Sequence, residues 1–542
     1  MDSLSPSAAQ DTTEHRSAWS RFGPTALYLV GAALLWRYFD FLYYKDEVSY
    51  LSAAARYAHG DLGGVNAYWA PLLSWLLAPL LVVGVPAATA SDILSVLIGL
   101  FALEGGRALV RTLGSTGWLE RVLDLTLVLV TLYCAMPYLS PDLLLAGILS
   151  WYFSIVLRRD YAMRPFAGYL SGALGGFAYF AKTYAFFFFA AHFVLVNIGH
   201  YLWADPSARA GVRRHLRNGF LVFTALVAVW VGALYAKYQI VTLGITGKYN
   251  YQIVGPEARD RPILQIGFDA EPRPGNTSVW EDPADFYRVP SALECCLKPW
   301  SALASARDLK HQLKLIKGNV AITMEDFQLF SSLSYAVILL CALLCIPRRE
   351  DARAHLPILL ALVTLLLYPA GYVLVFSDER YLWPMLFLLI AMSGYLLQVA
   401  SATPFLANVR RRQLLALVLA LSFVKIPMSK LFRAREFGRN TSLMVAALRG
   451  TDLRGKRLAS NADYGASDII AYYSGAQYLG QKRPGITKEQ VSAELRRARV
   501  DFYLVWGDVP ADSVPPGLSP FTEARVAPGN GGQTRLSVLR VD

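Results

Sequence analysis

A chain of 542 residues that is 55% hydrophobic and only 17% charged carries more apolar surface than soluble cores of that length can bury, which excludes a string of ordinary soluble domains. Its formal net charge of +12 does not point to nucleic acid, because the arginines lie in short clusters between apolar runs rather than along one soluble face. A bilayer is the solvent these residues fit.

In chain order, a polar stretch at 1–23 precedes an apolar run that starts near Pro24 and lacks a small-residue cleavage site, so it reads as an anchor and not a signal peptide. Runs long enough to cross about 30 Å of hydrocarbon are predicted at 24–44, 91–111, 119–136, 142–157, 165–181, 184–203, 219–241, 328–346, 356–376, 382–400 and 413–428. Residues 71–86 are apolar but short and broken by Pro79, so a full span and an interfacial helix both fit. Cys134, Cys341 and Cys345 lie in apolar runs as packing residues. Cys295 and Cys296 are neighbours in a polar loop, where two free thiols or an intermolecular bridge fit better than a strained vicinal disulfide.

Sidedness settles the ambiguous run. If 71–86 does not cross, Arg16, Arg21, Arg107, Arg111, Arg121, Arg158, Arg159, Arg164, Arg209, Arg213, Arg214, Arg217, Arg348, Arg349, Arg353 and Arg410 to Arg412 fall on one side. Only Lys45, Arg56, Lys182 and Arg380 fall in the short segments opposite, so the positive-inside rule makes the first side cytoplasmic. The expected organisation is a cytoplasmic tail at 1–23, a transmembrane domain at 24–428 with outer loops at 45–90 and 242–327, and an extracytoplasmic domain at 429–542. The loop at 242–327, with turn pairs such as Pro274-Gly275, is given no regular structure and is expected to cap the helices. The tail reads as a small α/β domain, with strands at 457–460, 501–506 and 533–541 and helices at 467–473 and 488–497. The fold class is therefore an all-α polytopic membrane protein of about eleven transmembrane helices with a small C-terminal α/β domain. No repeat of fixed period is present, which excludes a solenoid.

Four polar features end up at the outer ends of helices: Lys45-Asp46-Glu47, Ser140-Pro141-Asp142, Lys182, and Asp378-Glu379-Arg380-Tyr381. Ionisable groups at that depth are costly unless paired or functional, so acids and bases converging there suit an anionic, membrane-embedded substrate such as a lipid-linked phosphate. Structural readings stand beside this one. Asp46 and Glu47 suit the positive end of a helix dipole, Ser140-Pro141 is a helix start in its own right, and Lys182 and Arg380 fit as snorkelling residues. Arg37, Asp40 and Glu104 lie inside spans and are expected in interhelical pairs. Asn276-Thr277-Ser278 matches a glycan acceptor only as a short motif.

The same residues resemble the GT-C superfamily of polyprenyl-phosphate-sugar-dependent glycosyltransferases, in particular bacterial relatives of the protein O-mannosyltransferases and of the lipid A aminoarabinose transferase. The resemblance rests on Asp46-Glu47 followed by Tyr50 and Arg56, on Tyr68-Trp69-Ala70-Pro71, on Pro141-Asp142, on Gly175-Gly176 before Lys182, and on Glu379-Arg380-Tyr381-Leu382 with Pro384. It implies inverting transfer from a polyprenyl-phosphate sugar to an acceptor hydroxyl at the outer face of the inner (cytoplasmic) membrane. Asp46 would be the catalytic base, and Lys182 and Arg380 would bind the donor phosphate. Glu47, Asp142, Arg56 and Glu379 would support them, Glu379 by pairing with one of the two bases. The aminoarabinose transferase carries a lysine where this chain has Ala70, so the resemblance does not extend to a lipid A acceptor. A lipid, a polysaccharide or a protein acceptor all remain open, as does the sugar. No cofactor is required by these residues, although adjacent carboxylates could hold a divalent cation. The alternatives are a transporter or flippase, which an inverted repeat would favour and none is seen, and an O-antigen-ligase-like protein handling a lipid-linked saccharide.

Overall fold

The computed structural model describes residues 18–39, 45–203, 206–256, 300–345, 353–435, 438–482, 485–508, 510, 514–526 and 534–542. Arg16, Asp40, Pro274-Gly275, Asn276-Thr277-Ser278, Cys295, Cys296, Arg348 and Arg349 lie outside the described residues, as does the side chain of Lys45.

Helix α1 (Ala18–Trp36) leads to two short helices, α2 (Lys45–Ala58) and α3 (Leu72–Val82), which pack on each other. At 1.5 Å per residue α3 covers roughly 16 Å, about half the hydrocarbon thickness. Residues 71–86 are thus too short to cross, in line with the charge distribution. Helices α4 (Ala87–Thr112), α5 (Gly117–Ala135), α6 (Pro141–Val156), α7 (Ala167–Ala181), α8 (Tyr184–Trp203) and α9 (Arg209–Tyr238) follow. After them come α10 (Thr246–Ile253), α11 (Ala306–Phe330), α12 (Ser334–Cys345), α13 (Leu356–Val373), α14 (Trp383–Ala400) and α15 (Val409–Ala434).

The chain is a multi-pass membrane protein. Six of its described helices, α4, α8, α9, α13, α14 and α15, are long and apolar enough to cross a bilayer, and α11 with α12, bent by 97°, make a seventh if taken as one span. The other expected positions are occupied by α1, α5, α6 and α7, which are shorter or less apolar. Close approach between helices is made by glycine, as expected where lipid leaves packing to do the work. A Cβ on Gly172 of α7 would lie 2.1 Å from the Gly219 carbonyl of α9, so no larger residue fits this crossing.

Two expectations are corrected by the structure. The segment 242–327 contains α10 and all but the last three residues of the 25-residue α11. Ser305 caps α11 by accepting from the Asp308 amide at 3.1 Å, a start signal obscured by the turn-rich residues before it. Its polar face then props the backbone ahead of Asp378: Gln312 donates to the Leu374 carbonyl at 2.9 Å, Asn319 to the carbonyls of Val373 and Val375 at 3.0 Å each, and Thr323 to the Ser377 hydroxyl at 3.0 Å. The second correction concerns Arg107, grouped above with the loop arginines. It is buried in α4, 2.7 Å from Glu104 and 3.2 Å from Asp124 of α5, and two carboxylates offset the cost of dehydrating its guanidinium. Glu104 also accepts from Thr25 of α1 at 2.7 Å, the interhelical pairing expected of it, whereas Arg37 donates to its neighbour Tyr38 at 2.6 Å.

The tail contains α16 (Arg439–Ala447), β1 (Arg457–Ser460), α17 (Tyr464–Tyr473), β2 (Gln477–Gln481), α18 (Lys488–Arg497), β3 (Phe502–Trp506), β4 (Leu518–Val526) and β5 (Thr534–Val541). The sheet order is β2-β1-β3-β5-β4, with β1 parallel to β2 and β3, and β5 antiparallel to β3 and β4. The α/β expectation holds. The two strands absent from it, β2 and β4, are the sheet edges; β4 carries Pro520 and alternating charge, and edges need no strong apolar pattern. The tail is not a detached module, because Val48 of α2 belongs to the same buried cluster as Met444, Ile470, Phe502 and Val538.

Candidate functional site

Asp142 begins α6, where Ser140 caps the helix by accepting from the Asp142 amide at 3.0 Å and donates its own proton to Asp142 Oδ2 at 3.0 Å. The carboxylate, only 3% exposed, accepts from Lys182 Nζ on Oδ1 and lies 3.6 Å from Arg380 Nε on Oδ2. Lys182 directly follows α7, which ends there with an extended residue. Its ammonium sits 3.5 Å from the centre of the Tyr381 ring and 5.4 Å from that of Tyr372. Arg380 lies in the short 3-10 turn Glu379–Leu382, capped by Asp378, which accepts from the Arg380 amide at 3.1 Å. The guanidinium reaches Asp378 at 3.8 Å and, across from α2, Asp46 Oδ2 at 3.5 Å. Thus Asp46, Asp142, Lys182 and Arg380, drawn from four segments, form one cluster at one end of the helix bundle.

The remaining expected residues do not join it. Glu47, one residue along α2 and hence turned by about 100°, is buried and faces a small cavity lined by Trp36, Phe39, Asp92, Ser95 and Met136. Arg56 ends α2, roughly 15 Å along the axis from Asp46, with its Nε 4.0 Å from Asp61. Glu379 does pair with a base, but with Lys430 of α15, while Tyr133 of α5 donates to its other oxygen at 2.7 Å. Lys430 was not singled out in the sequence. It lies just past the end of an apolar run, a position that a snorkelling lysine also takes, so the sequence carries no signal of its pairing.

Against known proteins, no family model matches the chain and no curated protein matches it significantly. Solved structures do. ArnT from Cupriavidus metallidurans in the apo state overlays with a TM-score of 0.53 at 13% identity, covering 96% of this chain and 98% of that one. The same protein bound to undecaprenyl phosphate gives 0.52 at 11% identity over 95% and 98%. The Archaeoglobus fulgidus oligosaccharyltransferase in its apo form gives 0.53 at 11% identity, covering 90% of this chain and 70% of that one. The chain has the fold of these structures. At these identities the likeness is one of architecture, and the chemistry of this chain is argued from its own side chains.

That chemistry is of charge held ready. A lysine ammonium has three protons, and Asp142 accepts a hydrogen bond from one of them; two cations held beside a single buried carboxylate have the charge and the fixed placement that binding an anion requires. Asp46 stands at the rim of the cluster, 28% exposed. An aromatic wall adjoins it: the ring centres of Tyr50 and Trp69 are 5.1 Å apart, those of Tyr68 and Trp69 4.7 Å, and those of Tyr68 and Tyr249 5.5 Å. Asn66 holds the loop by accepting from the amides of Tyr68 at 2.8 Å and Trp69 at 3.0 Å. Among the described residues no three His, Cys, Asp or Glu side chains are grouped as a metal ion would need.

Proposed function

We propose that this chain is an inverting glycosyltransferase that moves a sugar from a polyprenyl-phosphate donor to an acceptor hydroxyl at the outer face of the cytoplasmic membrane. The observation that carries this reading is Asp142 held between Lys182 and Arg380, with Asp46 Oδ2 3.5 Å from Nη2 of the same guanidinium. Lys182 and Arg380 bind the donor phosphate. Asp46 takes the proton of the acceptor hydroxyl as its oxygen attacks the anomeric carbon, while the bond from that carbon to the phosphate oxygen breaks on the opposite side. Polyprenyl phosphate departs with the bonding pair, its charge balanced by the two cations, so no acid is needed to protonate it. Inversion follows from a single in-line displacement. Asp142 orients the two cations, and Glu379 secures the turn that carries Arg380 through Lys430 and Tyr133. That ArnT, with the same fold, has been seen with undecaprenyl phosphate supports a lipid phosphate as the anion.

Native mass spectrometry of the purified protein tests the donor class. The wild type should carry a polyprenyl phosphate or its glycosylated form, and Lys182→Ala and Arg380→Ala should each lose it at least tenfold, since a charge-assisted pair is worth about 1.5 to 3 kcal/mol. Unchanged occupancy in both variants would remove these residues from the site. Orientation is tested by cysteine labelling with a reagent that cannot cross the membrane. In whole cells it should modify Asp463→Cys and spare Arg411→Cys; the reverse pattern would put the site on the cytoplasmic face.

A further inference from the structure

Helix α11 has three distinct faces, and only one of them serves the bundle. The face bearing Gln312, Asn319 and Thr323 is buried on the chain at 373–377, which puts α11 at the cluster's end of the bundle, just ahead of Arg380. At 100° per residue, Leu309, Leu313, Val320 and Met324 fall together about 90° round from that face, and all four are exposed. Arg307, Lys310, Lys314 and Lys317 form a third stripe about opposite the buried one, and they are exposed as well. None of these four cations makes an ion pair with a described residue. The acids of the helix stand elsewhere: Asp308 accepts from the Ser305 hydroxyl in the cap at 2.7 Å, and Glu325 lies about two turns past Lys317.

The direction of the helix fits this pattern. Helix α12 packs against the spans α13 and α14, and α11 is bent away from it by 97°, so α11 runs close to the membrane plane and not across it. A helix lying that way, with an apolar stripe bordered by a basic one, seats at the boundary between acyl chains and headgroups. Lysine stems can follow the apolar edge while the ammonium stays among the phosphates. The arginine clusters that mark sidedness stand at the opposite ends of the spans, so the charge on α11 is no topology signal and needs its own account.

We infer that α11 is a membrane-surface helix whose stripe of Arg307, Lys310, Lys314 and Lys317 binds the headgroups of acidic phospholipids in the leaflet at the cluster's end of the bundle. The occupant is a lipid and not an acidic protein, because the basic stripe borders an exposed apolar one on a helix in the membrane plane, where acyl chains are the neighbours. With its third face on 373–377, the helix ties the turn that carries Arg380 to the membrane surface. The inference requires neither the proposed donor nor a particular side of the membrane.

A local probe tests it. Leu313→Trp places an indole in the apolar stripe of the full-length protein, held in nanodiscs of phosphatidylcholine with phosphatidylglycerol as the minor lipid. Its quenching is read as the difference from the parent protein when one lipid or the other carries bromine on its acyl chains. Brominated phosphatidylglycerol should quench well beyond its share of the bilayer, equivalent to a local enrichment of about tenfold or more, since each lysine beside acidic headgroups contributes roughly fivefold. The enrichment should disappear when Lys310→Gln, Lys314→Gln and Lys317→Gln are combined, and shrink when salt is raised. It should be unchanged in Arg380→Ala, which keeps selection by the stripe apart from selection by the cluster. Quenching by neither lipid would take α11 off the bilayer, and quenching in proportion to bulk composition would leave it there without headgroup selection. Either result overturns the inference, as does an enrichment that survives in the triple variant or is lost in Arg380→Ala.

Discussion

Asp142→Asn is expected to reach the membrane folded and to lose sugar transfer by about two to three orders of magnitude, with donor binding weakened as well. The carboxylate is the only one in contact with both Lys182 and Arg380 among the described residues. Without its charge two cations face each other across a nearly buried asparagine, and removing one partner from a buried ion pair costs about 3 to 5 kcal/mol. Because Lys182 and Arg380 keep 20% and 15% exposure, water relieves part of that strain, and the lower end of the range applies to stability. Activity should suffer more, since the proposed phosphate site depends on both cations standing at fixed positions. The measurement is kcat and KM for the glycosylated lipid beside thermal unfolding in the same detergent. A variant whose melting temperature and turnover both match the wild type would show that Asp142 does no more than start α6, for which the Ser140 cap and Pro141 suffice.

Asp46→Asn should be the most selective of the variants. Removing a general base lowers the rate by about 10² to 10⁴, and the isosteric amide cannot accept the acceptor's proton. Asp46 lies 3.5 Å from Arg380, so under the proposed function it competes with phosphate for the guanidinium. Its neutralisation should leave donor affinity unchanged or raise it slightly. The expected signature is therefore a collapse of kcat with KM for donor held or lowered, the opposite of Asp142→Asn, where both deteriorate. Wild-type turnover in Asp46→Asn would dismiss it as the base. A parallel loss of donor binding would make it a phosphate-site residue instead.

Much of this protein is legible without coordinates because it is set by local rules. Hydrocarbon thickness fixes the length of an apolar run, so every expected run overlaps a helix, although 328–346 is broken between α11 and α12, and 71–86 was marked as non-crossing by the arginine count and not by its length. Capping chemistry is also local, and α18 begins and ends at the residues its pattern predicted. Sidedness, counted from arginines, was enough to bring Asp46, Asp142, Lys182 and Arg380 to one face. Which of them touch was not readable. A helix turns by about 100° per residue, so the adjacent acids Asp46 and Glu47 face different surroundings, and the rotation of α2 is decided by what it packs against: α3 on one side and the Val48 contact with the tail on another. The partner of Glu379 proved to be Lys430 because α15 runs past its apolar stretch to Ala434, and Arg56 lies apart because it stands in the last turn of α2. Periodicity and charge balance named the elements and the face; the partners came from side chains far apart in the chain, whose meeting depends on helix rotation and on docking of the tail, neither of which leaves a mark within a single segment.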